Sequence, residues 1–144
     1  MRKIKYIVVH CTATQPEAKI EDIKRYWKEN LGWRNPGYHY ILERDGTVTQ
    51  LLPEEEIANG VKGFNESSVH MSYIGGVDRK NNPCDNRSQA QVHAIFDLIV
   101  ELTERYPGAV VQGHRDFPGV AKACPSFDVK TWLKEYSPNL GNAA

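Results

Sequence analysis

Three side chains able to grip a soft cation or to act as nucleophile and base stand where apolar runs give way to loops: His10, His114 and Cys124. Two imidazoles and a thiolate suit zinc, and three ligands leave a fourth tetrahedral position open, which is the arrangement of a catalytic ion. The same residues allow plainer readings. His10 can end a buried strand as a core histidine, His114 can cap a turn beside Arg115, and Cys124 can be a small hydrophobe before Pro125. A thiol hydrolase with Cys124 as nucleophile and His114 as base is a further alternative. Spacing alone favours the packing readings, because no compact motif links residues so far apart. Lys122, two positions before Cys124, can offer an ammonium to a developing oxyanion; Tyr38 can offer a phenolic hydroxyl, and Trp33 with Arg34 can line a groove. Cys11 alternates with His10 along an extended chain and is expected to face the core. Cys84 falls in a polar loop, His93 on a solvated helix flank, and His70 is left unassigned.

These residues need elements to hold them. Ile4 to Cys11 is β-branched and apolar on both alternating faces, which predicts an interior strand. Ile20, Ile23, Trp27 and Leu31 recur at helical spacing before Gly32, so a helix is expected over 19–31. Tyr38 to Leu42 and Val48 to Leu52 flank Asp45-Gly46 and read as an antiparallel hairpin. Val69 to Ile74 supplies another strand. Ser88 and Gln91 have the spacing of a capping box, and Val92, Ile95, Phe96, Ile99 and Leu102 then mark one face of a long helix ending near Tyr106-Pro107-Gly108. Ala109 to Gln112 is a short strand. An irregular stretch from Gly113 to Pro125 precedes a last helix faced by Val129, Trp132, Leu133 and Tyr136, and 138–144 is expected to fray. Strands interleaved with helices make this an α/β domain, with a mixed sheet covered on both sides.

Composition bounds the partners. The chain has 144 residues, with 18 Lys+Arg against 18 Asp+Glu, and a zero net charge removes the usual electrostatic case for nucleic acid or an anionic membrane. One domain is expected at this length. The apolar run Tyr6 to Val9 is too short for a secretory signal, so synthesis and retention in the cytoplasm are expected. Three cysteines, an odd number, argue against a disulfide framework.

Five segments occur in one order: Val8-Val9-His10-Cys11-Thr12-Ala13-Thr14, Gly37-Tyr38-His39-Tyr40, Arg44-Asp45-Gly46-Thr47-Val48, Gly113-His114-Arg115-Asp116, and Ala121-Lys122-Ala123-Cys124-Pro125-Ser126-Phe127-Asp128. Together they resemble the zinc-dependent N-acetylmuramoyl-L-alanine amidases, most closely the phage amidase endolysins, and more distantly the peptidoglycan recognition proteins. The resemblance implies one zinc ion held by His10, His114 and Cys124, with Tyr38 and Lys122 as flanking catalytic residues. It implies a single amidase domain over 1–137, with a mixed central sheet, flanking helices and a groove across the zinc face. The implied reaction cuts the amide between the lactyl group of N-acetylmuramic acid and L-alanine of the stem peptide. The implied partner is peptidoglycan or a soluble muropeptide, met by a monomer that acts on the wall after release. A cytoplasmic recycling amidase and a non-catalytic peptidoglycan-binding module are the alternatives. Two departures stand out: many relatives have a histidine shortly before the glycine and asparagine matched to Gly63 and Asn65, where this chain has Asn59-Gly60-Val61-Lys62, and His70 stands where a small residue is common.

Overall fold

A computed structural model describes residues 2–137; the expected frayed tail, 138–144, lies outside them. Five strands form one sheet: β1 (Tyr6–Cys11), β2 (Tyr40–Leu42), β3 (Val48–Gln50), β4 (Ser68–Tyr73) and β5 (Val110–Gly113). Their order is β3-β2-β4-β1-β5, with β1 parallel to both β4 and β5, β2 parallel to β4, and β3 antiparallel to β2. The β-branched run at the start of the chain is thus an interior strand, buried on both faces as its composition requires. The hairpin turns where Asp45-Gly46 predicts it. Gly46 takes φ +90°, the Glu43 amide donates to the Thr47 carbonyl, and the Asp45 carboxylate accepts from the Thr47 amide.

Helix α2 (Gln89–Arg105) covers one face of the sheet. Its capping box is complete: Ser88 Oγ accepts from the Gln91 amide and Gln91 Oε1 accepts from the Ser88 amide, each at 3.0 Å. Gln91 is fully buried, and its Nε2 donates to the carbonyls of Leu42 and Ile74, which ties the first turn to β2 and the end of β4. Ile95, Leu98, Ile99 and Leu102 pack against Ile7, Val9, Cys11, Val69, Met71 and Tyr73. Burial of each large aliphatic chain stabilises the fold by roughly 1.5–3 kcal/mol. Helix α3 (Val129–Tyr136) extends this layer with Val129 and Leu133, and Asp128 caps it by accepting from the Thr131 amide.

The other face is covered by α1 (Ile20–Arg25) and by loops. Ile23 and Trp27 pack on Ile41 and Ile74, while Val8, Val61 and Phe117 form a second cluster. The expected helix over 19–31 is regular only to Arg25; Tyr26–Asn30 is a π-helical turn in which the Leu31 amide donates to the Tyr26 carbonyl, five residues back. A wider turn shifts the helical phase. Leu31 therefore leaves the apolar face and is exposed, and Trp33 joins the cluster instead, its ring stacked 6.5 Å from that of Trp27. Among the described residues no helix is long and apolar enough to cross a membrane.

Candidate metal centre

The site is built at the end of β1. Odd-numbered residues of this strand face α2, so Cys11 lies in the core as alternation predicts, and His10 faces the loop-covered side. His114 opens a helical turn (His114–Asp116) directly after β5, the strand that pairs with β1. Asp116 fixes that turn by accepting from the Gly113 amide at 2.8 Å. Cys124 arrives on the following loop, which the Arg115 amide holds by donating to the Cys124 carbonyl at 2.9 Å. Gly113 allows the close approach: a Cβ there would meet Pro125 Cδ at 2.7 Å. Buried Tyr73 secures the same loop from the core side, donating its hydroxyl to the Pro125 carbonyl at 2.7 Å.

His10, His114 and Cys124 thereby converge, with one ligand atom of each within 4.8 Å of the others. The separation suits a tetrahedral ion with nitrogen ligands near 2.0–2.1 Å and sulfur near 2.3 Å. Cys124 Sγ lies 3.8 Å from His10 Nδ1 and accepts from the Cys11 amide at 3.2 Å. Burial, reinforced by His70, His114 and Lys122, holds His10 neutral. Burial and the nearby Lys122 push His114 down to about 4. Both rings thus offer lone pairs at neutral pH. The Cys11 thiol and burial hold Cys124 above the ordinary thiol value, so a cation entering here competes with a proton.

Tyr38 lies against His10, ring centroids 5.0 Å apart, and donates its hydroxyl to the Cys11 carbonyl at 3.3 Å. Burial, with Cys124 and Cys11 nearby, raises its phenol further, so it stays a donor at neutral pH. A cavity of about 200 Å³ holds His10, Tyr38, His114, Lys122 and Cys124 and runs into one of about 600 Å³ through the shared Asn59 and Gly60. Trp33 lines both, as expected of a groove aromatic; Arg34 lines a separate depression beyond Trp27. Cys84 and His93 stand outside the site, and exposed His93 bonds Tyr136 instead.

Sequence reasoning left two contributors without a role. His70 on β4 is fully buried behind His10, with Nδ1 2.9 Å from His10 Nε2, and Asn65 Oδ1 stands 3.0 Å from His70 Nε2. The register was the available signal: Val8 pairs with His70 in parallel, so His10 and His70 share a sheet face.

A family model described as N-acetylmuramoyl-L-alanine amidase matches residues 1–127. The endolysin of Klebsiella phage KP32 is 43% identical over 131 residues, covering 90% of this chain and 85% of the relative. The endolysin of Escherichia phage T7 is 39% identical over 131 residues, with the same coverage. Among solved structures, the endolysin of Thermus scotoductus bacteriophage Ph2119 superposes with a TM-score of 0.78 at 28% identity, over 94% of this chain and 85% of that one. An N-acetylmuramoyl-L-alanine amidase from Clostridium intestinale shares the fold, with a TM-score of 0.79 at 20% identity, over 94% of this chain and 85% of that one.

Proposed function

The chain belongs to the N-acetylmuramoyl-L-alanine amidase family, and we propose that it is a zinc-dependent endolysin that hydrolyses the bond between the lactyl carbonyl of N-acetylmuramic acid and the stem-peptide L-alanine. The catalytic unit is residues 1–137, acting as a monomer on the cell wall after release. The observation that carries this reading is the convergence of one ring nitrogen each of His10 and His114 with Cys124 Sγ within 4.8 Å, His10 Nδ1 lying 3.8 Å from that sulfur, in a cavity that also holds Tyr38 and Lys122. Two neutral imidazoles and a thiolate fit zinc and leave it a net positive charge.

When bound, zinc supplies a Lewis acid that polarises a carbonyl and brings the pKa of a water toward about 7. The chain's own residues do the rest. Lys122 brings a positive charge to the mouth of the site, where a negative charge develops on the lactyl oxygen as water adds to the carbonyl. Tyr38, protonated and held on the Cys11 carbonyl, orients the substrate and passes a proton to the departing alanine nitrogen. Hydrolysis then leaves a lactyl carboxylate and a free alanine amine. Trp33 and the continuous cavity beside His114 and Lys122 give the glycan and peptide a wall to lie against.

The test measures zinc per chain and digests purified peptidoglycan. One equivalent of zinc and new L-alanine amino termini without new reducing sugars are expected, with both lost in Cys124→Ser and His10→Ala. New reducing ends would make it a glycosidase. Activity that survives a strong chelator and dies with iodoacetamide would make Cys124 a nucleophile, and wall binding without zinc or cleavage would make the chain a recognition module.

A further inference from the structure

The structure carries the orientation of His10 back to the main chain through two buried side chains. Asn65 Oδ1 accepts from the amides of Gly60 and Val61, at 3.0 and 2.7 Å. A main-chain amide can only donate, so the Asn65 atom at that point is its oxygen. The same oxygen lies 3.0 Å from His70 Nε2, which must therefore carry a hydrogen. His70 is fully buried, and the side-chain atoms bonded to its ring belong to Asn65 and His10, neither of them an anion. A buried imidazole without a counter-charge stays neutral, so its Nδ1 carries a lone pair. That lone pair lies 2.9 Å from His10 Nε2. His10 therefore donates from Nε2, and its own lone pair sits on Nδ1, the atom facing Cys124 Sγ at 3.8 Å.

We infer that Asn65 and His70 are positioning residues that lock His10 into the tautomer able to bind a metal through Nδ1. The inference rests on the metal reading above. A ligating imidazole that donates its other N–H is held in one orientation and one tautomer. Here the acceptor is a neutral ring, so the orientation comes without an added negative charge and the site keeps its electrophilicity. Gly60 makes room for the ring: a Cβ at that position would lie 2.3 Å from His70 Nδ1.

The test has two parts, both on the full chain. Long-range proton–nitrogen correlation spectra of the isotope-labelled protein at neutral pH, with and without zinc, report which nitrogen of each ring carries hydrogen. Nε2–H forms of both His10 and His70 are expected; an Nδ1–H form of either ring overturns the relay. Zinc affinity is then measured by competition with a chromogenic chelator. His70→Phe, which keeps volume and loses the acceptor, should bind about 10- to 100-fold more weakly. His70→Gln, which can accept from His10 and donate to Asn65, should recover most of that loss. Unchanged affinity in His70→Phe overturns the proposal, and should that variant fail to fold, the wild-type spectra and the Gln variant still decide it. Zinc uptake with the wrong tautomer defeats only the relay, whereas the expected tautomers with no zinc uptake defeat only the metal centre.

Discussion

Gly60→Ala adds one methyl group, and the structure says what that methyl meets. Its ideal position lies 2.3 Å from His70 Nδ1, 2.4 Å from Cε1 and 2.5 Å from Cγ, against an ordinary contact of 3.4 Å or more. The backbone at Gly60 lies outside the left-handed region, so the cost is steric and not conformational. The ring must retreat by about 1 Å in a close-packed interior. It is fully buried, and the methyl is almost equally near three ring atoms, so the ring retreats along its normal, which tilts its 2.9 and 3.0 Å bonds to His10 and Asn65 out of line. Overpacking costs about 1–3 kcal/mol, and buried polar atoms left poorly paired add about 1–3 kcal/mol. The sum is about 2–6 kcal/mol, or a fall in Tm of roughly 10 °C for a domain of this size. The assay is a double-mutant cycle by thermal and denaturant unfolding of the wild type, Gly60→Ala, His70→Ala and the double variant. His70→Ala vacates the contested space, so adding the methyl there should cost less than about 0.5 kcal/mol, leaving a coupling of at least about 1.5 kcal/mol. Additive effects, or a Gly60→Ala protein within about 0.5 kcal/mol of wild type, would refute the claim that these two positions compete for one volume.

Tyr38→Phe keeps the ring beside His10 and removes the hydroxyl held by the Cys11 carbonyl; turnover should fall about 10²- to 10⁴-fold, with zinc content unchanged by elemental analysis. Tyr73→Phe strands the Pro125 carbonyl in the core and should cost about 1–3 kcal/mol in urea unfolding. Burial, aided by the Arg2 guanidinium, lowers the pKa of His39 in the folded chain, even though its bond to the Glu56 carbonyl works the other way. The unfolded chain binds that proton near pH 6.5, so stability is full above this value and declines as pH falls below it. His39 contributes at most about 1.4 kcal/mol per pH unit to this slope, beside shares from the likewise lowered His10, His70 and His114, and His39→Gln should show a shallower dependence over the same range.

What the sequence made legible was local. The β-branched run of β1, the Ser88–Gln91 cap and the Asp45-Gly46 turn each declare themselves within a few residues, and each forms as expected. The end of α1 did not, because Trp33, outside the periodic stretch, takes the packing place that spacing gives to Leu31. The metal candidates were visible as residue types, but their meeting depends on β5 pairing with β1 and on the loop that brings Cys124 back; only the ordered set of family-like segments pointed there beforehand. The absent histidine at 59–62 and the unexpected one at 70 look like two unrelated departures along the chain. In three dimensions they meet at one place, since the His70 ring fills the volume in front of Gly60. No periodicity encodes an exclusion between a loop glycine and a strand side chain.

Cys11 serves the site in two ways: its amide meets the Cys124 sulfur and its carbonyl receives the Tyr38 hydroxyl, while its side chain packs beneath α2 and its thiol helps to keep the proton on Cys124. Any residue except proline would present the same two groups. Mutational drift at this position therefore acts on the hydrophobic layer and on how readily Cys124 gives up its proton, while the two backbone contacts persist for as long as the strand keeps its register. What any descendant of this chain must inherit at position 11 to keep those two contacts is an alignment of neighbouring strands.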